Sequence, residues 1–89
     1  MTTWKVEFDL KAAKEFKKLD KASQGLISDY LKTKVLRSIH PKDLGKPMKY
    51  DYAGLWRYRI GKYRVICSIE EERLIVLVLR VAIRDEVYT

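Results

Sequence analysis

Three arginines in one short segment are the side chains best suited to chemistry in this sequence. Arg57 and Arg59 alternate with apolar residues, and Arg64 follows shortly after Gly61 and Lys62. A guanidinium is always charged, and its planar fork of N–H donors matches two oxygens of a phosphate at once. The set therefore suggests the binding of phosphate groups.

The alternation around these arginines predicts the element that positions them. We expect a strand over Leu55–Ile60, a two-residue turn that glycine favours, and a return strand over Tyr63–Ile69. This turn sets Arg59 opposite Arg64, and strand alternation directs Arg57 to the same face of the hairpin. The opposite face is apolar and is expected to meet the core; it carries Trp56, Tyr58, Ile60, Tyr63, Val65, Cys67 and Ile69.

A third strand, predicted over Leu74–Val81, extends this surface. It is apolar on both faces, so we expect an inner strand. The charged turn Glu70–Glu72 is expected to set Ile69 opposite Arg73. With that register the core-facing residues are Ile75, Leu77, Leu79 and Val81. The residues on the arginine side are Val76, Val78, Arg80, Ala82 and Arg84. We therefore predict an open, phosphate-binding sheet surface in preference to an idle basic one.

The first part of the chain predicts a strand and two helices. Trp4–Phe8 alternates apolar and charged residues, and Asp9 is placed to cap a helix over about Leu10–Leu19. Ser23 can cap a second amphipathic helix whose apolar stripe continues to Ile39. The helices form an αα-hairpin, so the order is βααβββ: an α+β fold with a small, mostly antiparallel sheet and the two helices on one face.

The region after the second helix is expected to be irregular, because Pro41, Gly45 and Pro47 interrupt any period. The whole chain, residues 1–89, is expected to form a single domain.

Composition points to a polyanionic partner. The chain has 89 residues, 19 Lys+Arg against 12 Asp+Glu, a formal net charge of +7 and a pI near 9.6. We expect nucleic acid ahead of a membrane surface. A single cysteine, Cys67, excludes an internal disulfide and a multi-cysteine zinc site, and no cofactor or metal is expected. The longest apolar run is far shorter than the roughly 20 residues of a membrane span, so we expect a cytoplasmic protein without membrane attachment.

Several other side chains are weaker candidates for chemistry. His40 precedes a proline and is expected to be a solvated loop residue, while Cys67 lies on the core-facing side of its strand. Five lysines are expected to lie on solvated helix faces: Lys11, Lys14, Lys17, Lys18 and Lys21. Tyr88 follows the third strand, where it could stack on a base or remain a surface residue.

Three segments resemble one protein family along nearly the whole chain. The hairpin Leu55–Ile66 resembles that of RelE-type toxins of bacterial and archaeal toxin–antitoxin systems, in which two basic residues separated by one residue precede a turn ending in Tyr-Arg. The end, Val81–Tyr88, resembles the family's terminal arginine followed by Glu-Val-Tyr. The start, Phe8–Leu19, is similar to the family's opening.

The resemblance implies a ribosome-dependent endoribonuclease that cuts mRNA by attack of a 2′-hydroxyl on the adjacent phosphate, without a metal. It implies phosphate and transition-state stabilisation by Arg64 and Arg84, and base stacking by Tyr88. The implied partners are a cognate antitoxin, the ribosome and mRNA, with DNA contacted only through the antitoxin complex. The remaining candidates for phosphate binding are Arg57, Arg59, Lys62 and Arg80.

The chain departs from the family at the position of the general base. The family usually has lysine where this chain has Arg57 and Arg59, and arginine is a poor base because it stays protonated. Either the activity is therefore reduced, or Lys62 or water takes the role of the base. Two alternative functions also stay open: a ParE-like toxin that poisons DNA gyrase, and a non-catalytic basic nucleic-acid-binding module. Retention of Arg64, Arg84 and Tyr88 favours the RelE branch.

Overall fold

The structure, a computed structural model that describes residues 4–83, combines two helices with a five-stranded mixed sheet. In chain order the elements are β1 (Lys5–Phe8), α1 (Leu10–Lys17), α2 (Lys21–Tyr30), β2 (Lys46–Pro47), β3 (Trp56–Ile60), β4 (Tyr63–Glu70) and β5 (Ile75–Ile83). The strand order is β1-β5-β4-β3-β2, and only the β1–β5 pair among these is parallel. The predicted α+β fold with a mostly antiparallel sheet is confirmed.

The two helices begin at aspartate caps. Asp9 accepts a hydrogen bond from the Ala12 N–H at 2.9 Å, as expected. The cap of α2 is Asp20 and not Ser23: its carboxylate accepts from the Ser23 N–H at 3.2 Å and from the Ser23 hydroxyl at 2.6 Å. These bonds hold the pKa of Asp20 below its usual value. The two caps fix where each helix starts and therefore how the αα-hairpin turns.

The second helix is shorter than its apolar stripe predicts. After Tyr30 the chain continues as a π-helical turn over Leu31–Val35, with the Leu36 N–H donating to the Leu31 carbonyl at 2.9 Å. Leu31 and Val35 still reach the core, but Ile39 is 77% exposed. The prediction of a helix that continues to Ile39 is wrong. The π-helical turn is wider than an α-helical turn, so the apolar stripe no longer follows the α-helical period beyond it.

One face of the sheet packs on the helices. Tyr58 lies at the centre, fully buried, and its hydroxyl donates to the Pro41 carbonyl at 2.7 Å. The Tyr63 hydroxyl bonds the Ser23 hydroxyl at 3.0 Å and so ties β4 to α2. The buried core residues of these elements are Ala12, Ile27, Leu31, Val35, Tyr58, Ile60, Tyr63, Val65, Cys67, Val76, Val78 and Val81.

The register of β5 differs from the prediction in its first half. Glu70 pairs with Ile75 and Ile69 with Val76, because the turn occupies four residues and not three. Val76 and Val78 are consequently buried in the core, whereas Ile75 and Leu77 lie on the opposite face. The turn ends at Leu74, whose φ of 56° lies in the left-handed region. Leucine rarely adopts this conformation, so the sequence did not predict it.

A β-bulge restores the predicted parity in the second half of β5. The pairing passes from Cys67↔Val78 to Ile66↔Arg80, so Leu79 is the extra residue. Val81 therefore faces the core, and Arg80 and Ala82 lie on the opposite face, as predicted. Leu79, expected in the core, is half-buried.

Candidate nucleic-acid interface

The β3–β4 hairpin brings two arginines side by side. Gly61 adopts a φ of 58° in the two-residue turn, and the register places Arg59 directly opposite Arg64 and Ile60 opposite Tyr63, which confirms the predicted hairpin. Directly opposed residues have Cβ atoms about 4.5–5.5 Å apart. The pair therefore places two arginine side chains next to each other on one face of the hairpin.

A second row of the sheet adds two more arginines to the same face. Ile66 is paired with Arg57 on one side and with Arg80 on the other. Alternation along β4 places Ile66 on the face of Arg64, so all four arginines share one surface. We call this surface the arginine face; it consists of Arg57, Arg59, Arg64 and Arg80.

The arginine face is only partly open, contrary to the expectation of a fully exposed surface. Arg59 is exposed and Arg57 half-buried, but Arg64 is 4% exposed. A small apolar cluster of Ile66 and Ala82, with Met48 and Leu55 packed against it, forms the floor beside these side chains. The sequence could not show this because parity gives the face of a side chain and not what covers it.

Arg80 is bound to α1. Its Nε and Nη2 lie 3.1 Å and 3.0 Å from Glu15 Oε2, and the other carboxylate oxygen accepts the Val81 N–H at 2.9 Å. The Glu15 carboxylate thus accepts a backbone N–H at the edge of β5, just beyond the end of β1. It also fixes the direction of the Arg80 guanidinium. A phosphate that binds Arg80 meets a side chain already engaged by a carboxylate.

Lys46 is a cation that the sequence analysis missed, because the region expected to be irregular contains β2. Lys46 pairs with Arg57 in antiparallel register and is exposed, so alternation places it on the arginine face. The close approach of β2 depends on Gly45: a Cβ there would lie 2.7 Å from the Arg57 carbonyl oxygen and 3.2 Å from the Tyr58 ring. Gly before Lys-Pro, with proline suited to an edge strand, is the signal that could have revealed this strand.

The remaining predicted site residues lie elsewhere. Lys62 is in the hairpin turn, with its ammonium 5.5 Å from the ring centroid of Tyr63, a core residue. It is therefore not directed to the arginine face in this arrangement. Arg84 and Tyr88 lie outside the described residues.

The weaker candidates behave as expected where the structure describes them. His40 is an exposed residue before the turn Pro41–Leu44. Cys67 is buried, and burial raises the pKa of its thiol, which keeps it protonated. Near His40 a cavity of about 450 Å³ is lined in part by Trp4 and Glu71, at the end of the sheet away from the Arg59–Arg64 pair. Lys42 lies 2.9 Å from Glu71 and lowers the pKa of that carboxyl through a hydrogen bond.

Two further findings concern metal binding and membrane-spanning helices. Within residues 4–83 no three His, Cys, Asp or Glu side chains are grouped so that they could hold a metal ion. None of the helices in that part of the chain is long and apolar enough to cross a membrane.

Comparison with known proteins gives consistent family and fold matches. The family model of the ParE toxin of type II toxin–antitoxin systems (parDE) matches residues 6–88. Toxin RelG of Mycobacterium tuberculosis is 37% identical over 51 residues, which are 57% of this chain and 59% of that relative. The chain thus matches about three fifths of the length of this curated relative.

Solved structures share the fold. A chain of the toxin–antitoxin complex RelBE2 from Mycobacterium tuberculosis is similar with a TM-score of 0.82 and 28% identity, covering 92% of this chain and 99% of that chain. The isolated E. coli RelE toxin is similar with a TM-score of 0.72 and 21% identity, covering 96% and 90% respectively.

Proposed function

The chain belongs to the ParE toxin family, within the RelE/ParE superfamily of type II toxin–antitoxin toxins, and from that premise we propose that it is a ribosome-dependent endoribonuclease acting on mRNA. The observation that carries the proposal is the cross-strand pair Arg59–Arg64, flanked on the same face by Arg57, Arg80 and Lys46. Such a convergence of cations on one sheet face suits the binding of a phosphate backbone.

The proposed reaction needs charge stabilisation and one proton acceptor. The O2′ atom of a ribose attacks the adjacent phosphorus, the new O2′–P bond forms as the P–O5′ bond breaks, and a 2′,3′-cyclic phosphate and a 5′-hydroxyl result. Arg59 and Arg64 neutralise the phosphoryl oxygens as negative charge builds on them. Arg64, being almost fully buried, acts where the local dielectric is low and the interaction is stronger.

The proton of the 2′-hydroxyl must go to a group that can accept it, and water is the proposed source of the proton that the departing O5′ takes up. Arginine stays protonated, whereas lysine can exist as a neutral amine. Lys46 is on the arginine face and Lys62 is directed to Tyr63, so Lys46 is our candidate for the acceptor. Arg84 and Tyr88 keep the roles that the family resemblance implies, transition-state stabilisation and base stacking.

A cognate antitoxin is the expected protein partner. Solved relatives include toxin–antitoxin complexes, and a chain of net charge +7 suits an antitoxin segment that is acidic and apolar and folds on binding. The ribosome and mRNA are the proposed targets, and DNA is contacted only through the antitoxin complex.

The second candidate function is inhibition of DNA gyrase. It is favoured by one observation, that the matching family model is that of ParE toxins. The arginine face favours the nuclease, because a gyrase inhibitor has no need for converging phosphate-binding groups.

A reconstituted translation reaction tests the proposal. The wild-type protein should stop translation and leave cuts in ribosome-bound mRNA, mapped by primer extension, while a gyrase supercoiling assay stays unaffected. Arg59→Gln should lower the cleavage rate about 100- to 1,000-fold, because that is the typical cost in other enzymes of removing one hydrogen-bond donor directed at a developing oxyanion. Arg73→Gln is the matched control, since Arg73 is an exposed turn residue paired with Glu70. Uncut mRNA together with inhibited supercoiling would refute the nuclease proposal and favour inhibition of DNA gyrase.

A further inference from the structure

The loop between β2 and β3 borders the arginine face. The Met48 N–H donates to the Leu55 carbonyl at 2.9 Å, which continues the β2–β3 pairing by one step. Both of these side chains pack on the apolar floor of the arginine face. The chain between them, residues 49–54, therefore leaves the border of that face and returns to it. Arg57 follows Leu55 on the same side of β3, about 7 Å along the strand.

Tyr50, in this loop, combines a strained backbone with an exposed ring. Its φ of 58° lies in the left-handed region, which asparagine and aspartate tolerate better than aromatic residues do. Its side chain is 92% exposed, more than any other large hydrophobic side chain in residues 4–83. The turn Tyr50–Tyr52 needs only backbone groups, since the Ala53 N–H donates to the Tyr50 carbonyl at 3.0 Å. Nothing in the fold of this loop therefore requires a tyrosine.

Leu74, the other left-handed residue besides glycine in residues 4–83, shows how such a conformation is normally compensated. Its side chain packs against the core, and burial of that apolar surface offsets the cost of the backbone. The exposed ring of Tyr50 gains no burial of this kind. Strained residues are concentrated at active sites and ligand-binding loops, so we expect the Tyr50 ring to contact a ligand.

The chemistry of the loop favours an RNA base as that ligand. Unpaired bases of single-stranded RNA stack on exposed aromatic rings, whereas bases within a double helix are already stacked on each other. Lys49, directly before Tyr50, is exposed and suits a phosphate beside the stacked base. A protein partner would need a wider apolar patch around the ring, but Met48 and Leu55 are half-buried against the floor.

We propose that Tyr50 stacks on an unpaired mRNA base that flanks the cleaved bond, and that it helps to select where the mRNA is cut. The inference rests on the proposed function and deepens it with a base-binding residue outside the segments that resemble RelE-type toxins. Arg59 is four residues from Leu55 along β3, about 13 Å. The stacked base therefore belongs to a neighbouring nucleotide and not to the one whose phosphate meets Arg59 and Arg64.

The test measures binding to ribosomes that carry an mRNA with 2′-O-methyl groups in the vacant codon and in its neighbours. Methylation blocks the attacking hydroxyl, so binding is measured without cleavage. A series of these RNAs lacks one base at a time and keeps the sugar and the phosphate. Each RNA is titrated with the wild type and with Tyr50→Asn, in which asparagine tolerates the left-handed backbone.

Removing one partner of an aromatic–base stack reduces affinity by about 5- to 150-fold. The wild type should show this loss at one abasic position that flanks the cleaved bond. Tyr50→Asn should show the same loss with the intact RNA and no further loss at that position, because the missing base and the missing ring are partners. Tyr50→Phe keeps the ring and should bind every RNA as the wild type does.

Two controls separate stacking from a structural or a general apolar effect. Leu10→Asn removes another exposed apolar side chain, on α1, and should leave binding to the whole RNA series unchanged. Thermal unfolding reports the structural effect. Tyr50→Asn should melt at or above the temperature of the wild type, because it relieves the backbone and removes no buried contact.

The proposal would be overturned by any of three results. An equal loss of affinity for every RNA in Tyr50→Asn would mean that the ring contacts something other than an mRNA base. A lower melting temperature of Tyr50→Asn would show that the ring stabilises the loop. Weaker binding of the protein encoded by the adjacent reading frame, with RNA binding unchanged, would assign Tyr50 to the antitoxin.

Failure of the nuclease proposal would be seen separately. It would leave unmethylated mRNA uncut in the translation reaction, whereas the base-dependent binding of methylated RNA would persist if Tyr50 stacks as proposed.

Discussion

The opposed pair Arg59 and Arg64 should make the protein less stable and more active at the same time. Arg59 is exposed and faces Arg64 across the β3–β4 ladder, and like charges in directly opposed positions destabilise a sheet by about 0.2–1 kcal/mol. Replacing Arg59 by threonine, a good strand former, removes the repulsion without losing strand propensity. Arg59→Thr should therefore raise the free energy of unfolding.

The expected magnitude follows from the size of the domain. For a chain of 60–100 residues, 1 kcal/mol shifts the melting temperature by about 4–8 °C, so Arg59→Thr should melt roughly 1–8 °C above the wild type. The gain should shrink in 0.5 M salt, where the Debye length falls to less than about 5 Å. The cleavage rate should fall by about 100-fold or more, since a donor aimed at the phosphate is lost.

Thermal unfolding followed by circular dichroism at 50 and 500 mM salt measures the stability, and mRNA cleavage on ribosomes measures the activity. Lys5→Thr is the matched control, an exposed cation on β1 whose opposed residue is the apolar Ile75; it should change neither the salt dependence of stability nor the cleavage rate. A lower melting temperature for Arg59→Thr, or a gain that does not respond to salt, would refute the argument that this pair is strained for function.

Three further predictions concern the scaffold. Tyr58→Phe loses a buried 2.7 Å hydrogen bond to Pro41 and should lower the free energy of unfolding by about 1–3 kcal/mol. Burial raises the pKa of the Tyr58 phenol, so the wild type should lose stability as pH rises above about 10, and this loss should be smaller in Tyr58→Phe; equal alkaline melts would contradict it. Gly45→Ala should destabilise by about 1–3 kcal/mol through its backbone clash, while Gly25→Ala, in open space on α2, should stabilise by about 0.5–1 kcal/mol; similar melts for both would exclude the clash. Glu15→Gln should cost about 1.5–3 kcal/mol in urea unfolding because a half-buried charge-assisted link is lost, and an unchanged midpoint would show that the link is not stabilising.

Strand alternation and turn chemistry predicted the hairpin because they act over few residues. The Gly61 turn fixed the pairing of Arg59 with Arg64, and one buried face then fixed the direction of each side chain. The turn before β5 was not predictable in the same way. It has no glycine, and the left-handed Leu74 lengthens it by one residue, which exchanges the two faces of β5 up to the bulge at Leu79.

Tertiary contacts decided what the local patterns could not. β2 has two residues, too few to show a period, and it exists because Gly45 allows it to approach β3. Arg64 is 4% exposed, whereas parity alone suggested an exposed side chain, because parity gives the face of a side chain and not its surroundings. The direction of the Arg80 side chain was not predictable either, because its carboxylate partner, Glu15, is 65 residues away in the sequence.

The bulge and the Glu15 contact together explain how one strand serves both the core and the site. If Leu79 were paired regularly and formed no bulge, alternation from Val76 and Val78 would direct Arg80 into the core, where an ionised side chain is costly. The bulge turns Arg80 to the arginine face while Val81 still fills the core, but it also leaves the Val81 N–H at an edge that β1 no longer covers. One carboxylate of α1 accepts that N–H and holds Arg80. Glu15 thereby ties α1 to the strand that completes the arginine face, in addition to the core contact that Ala12 makes.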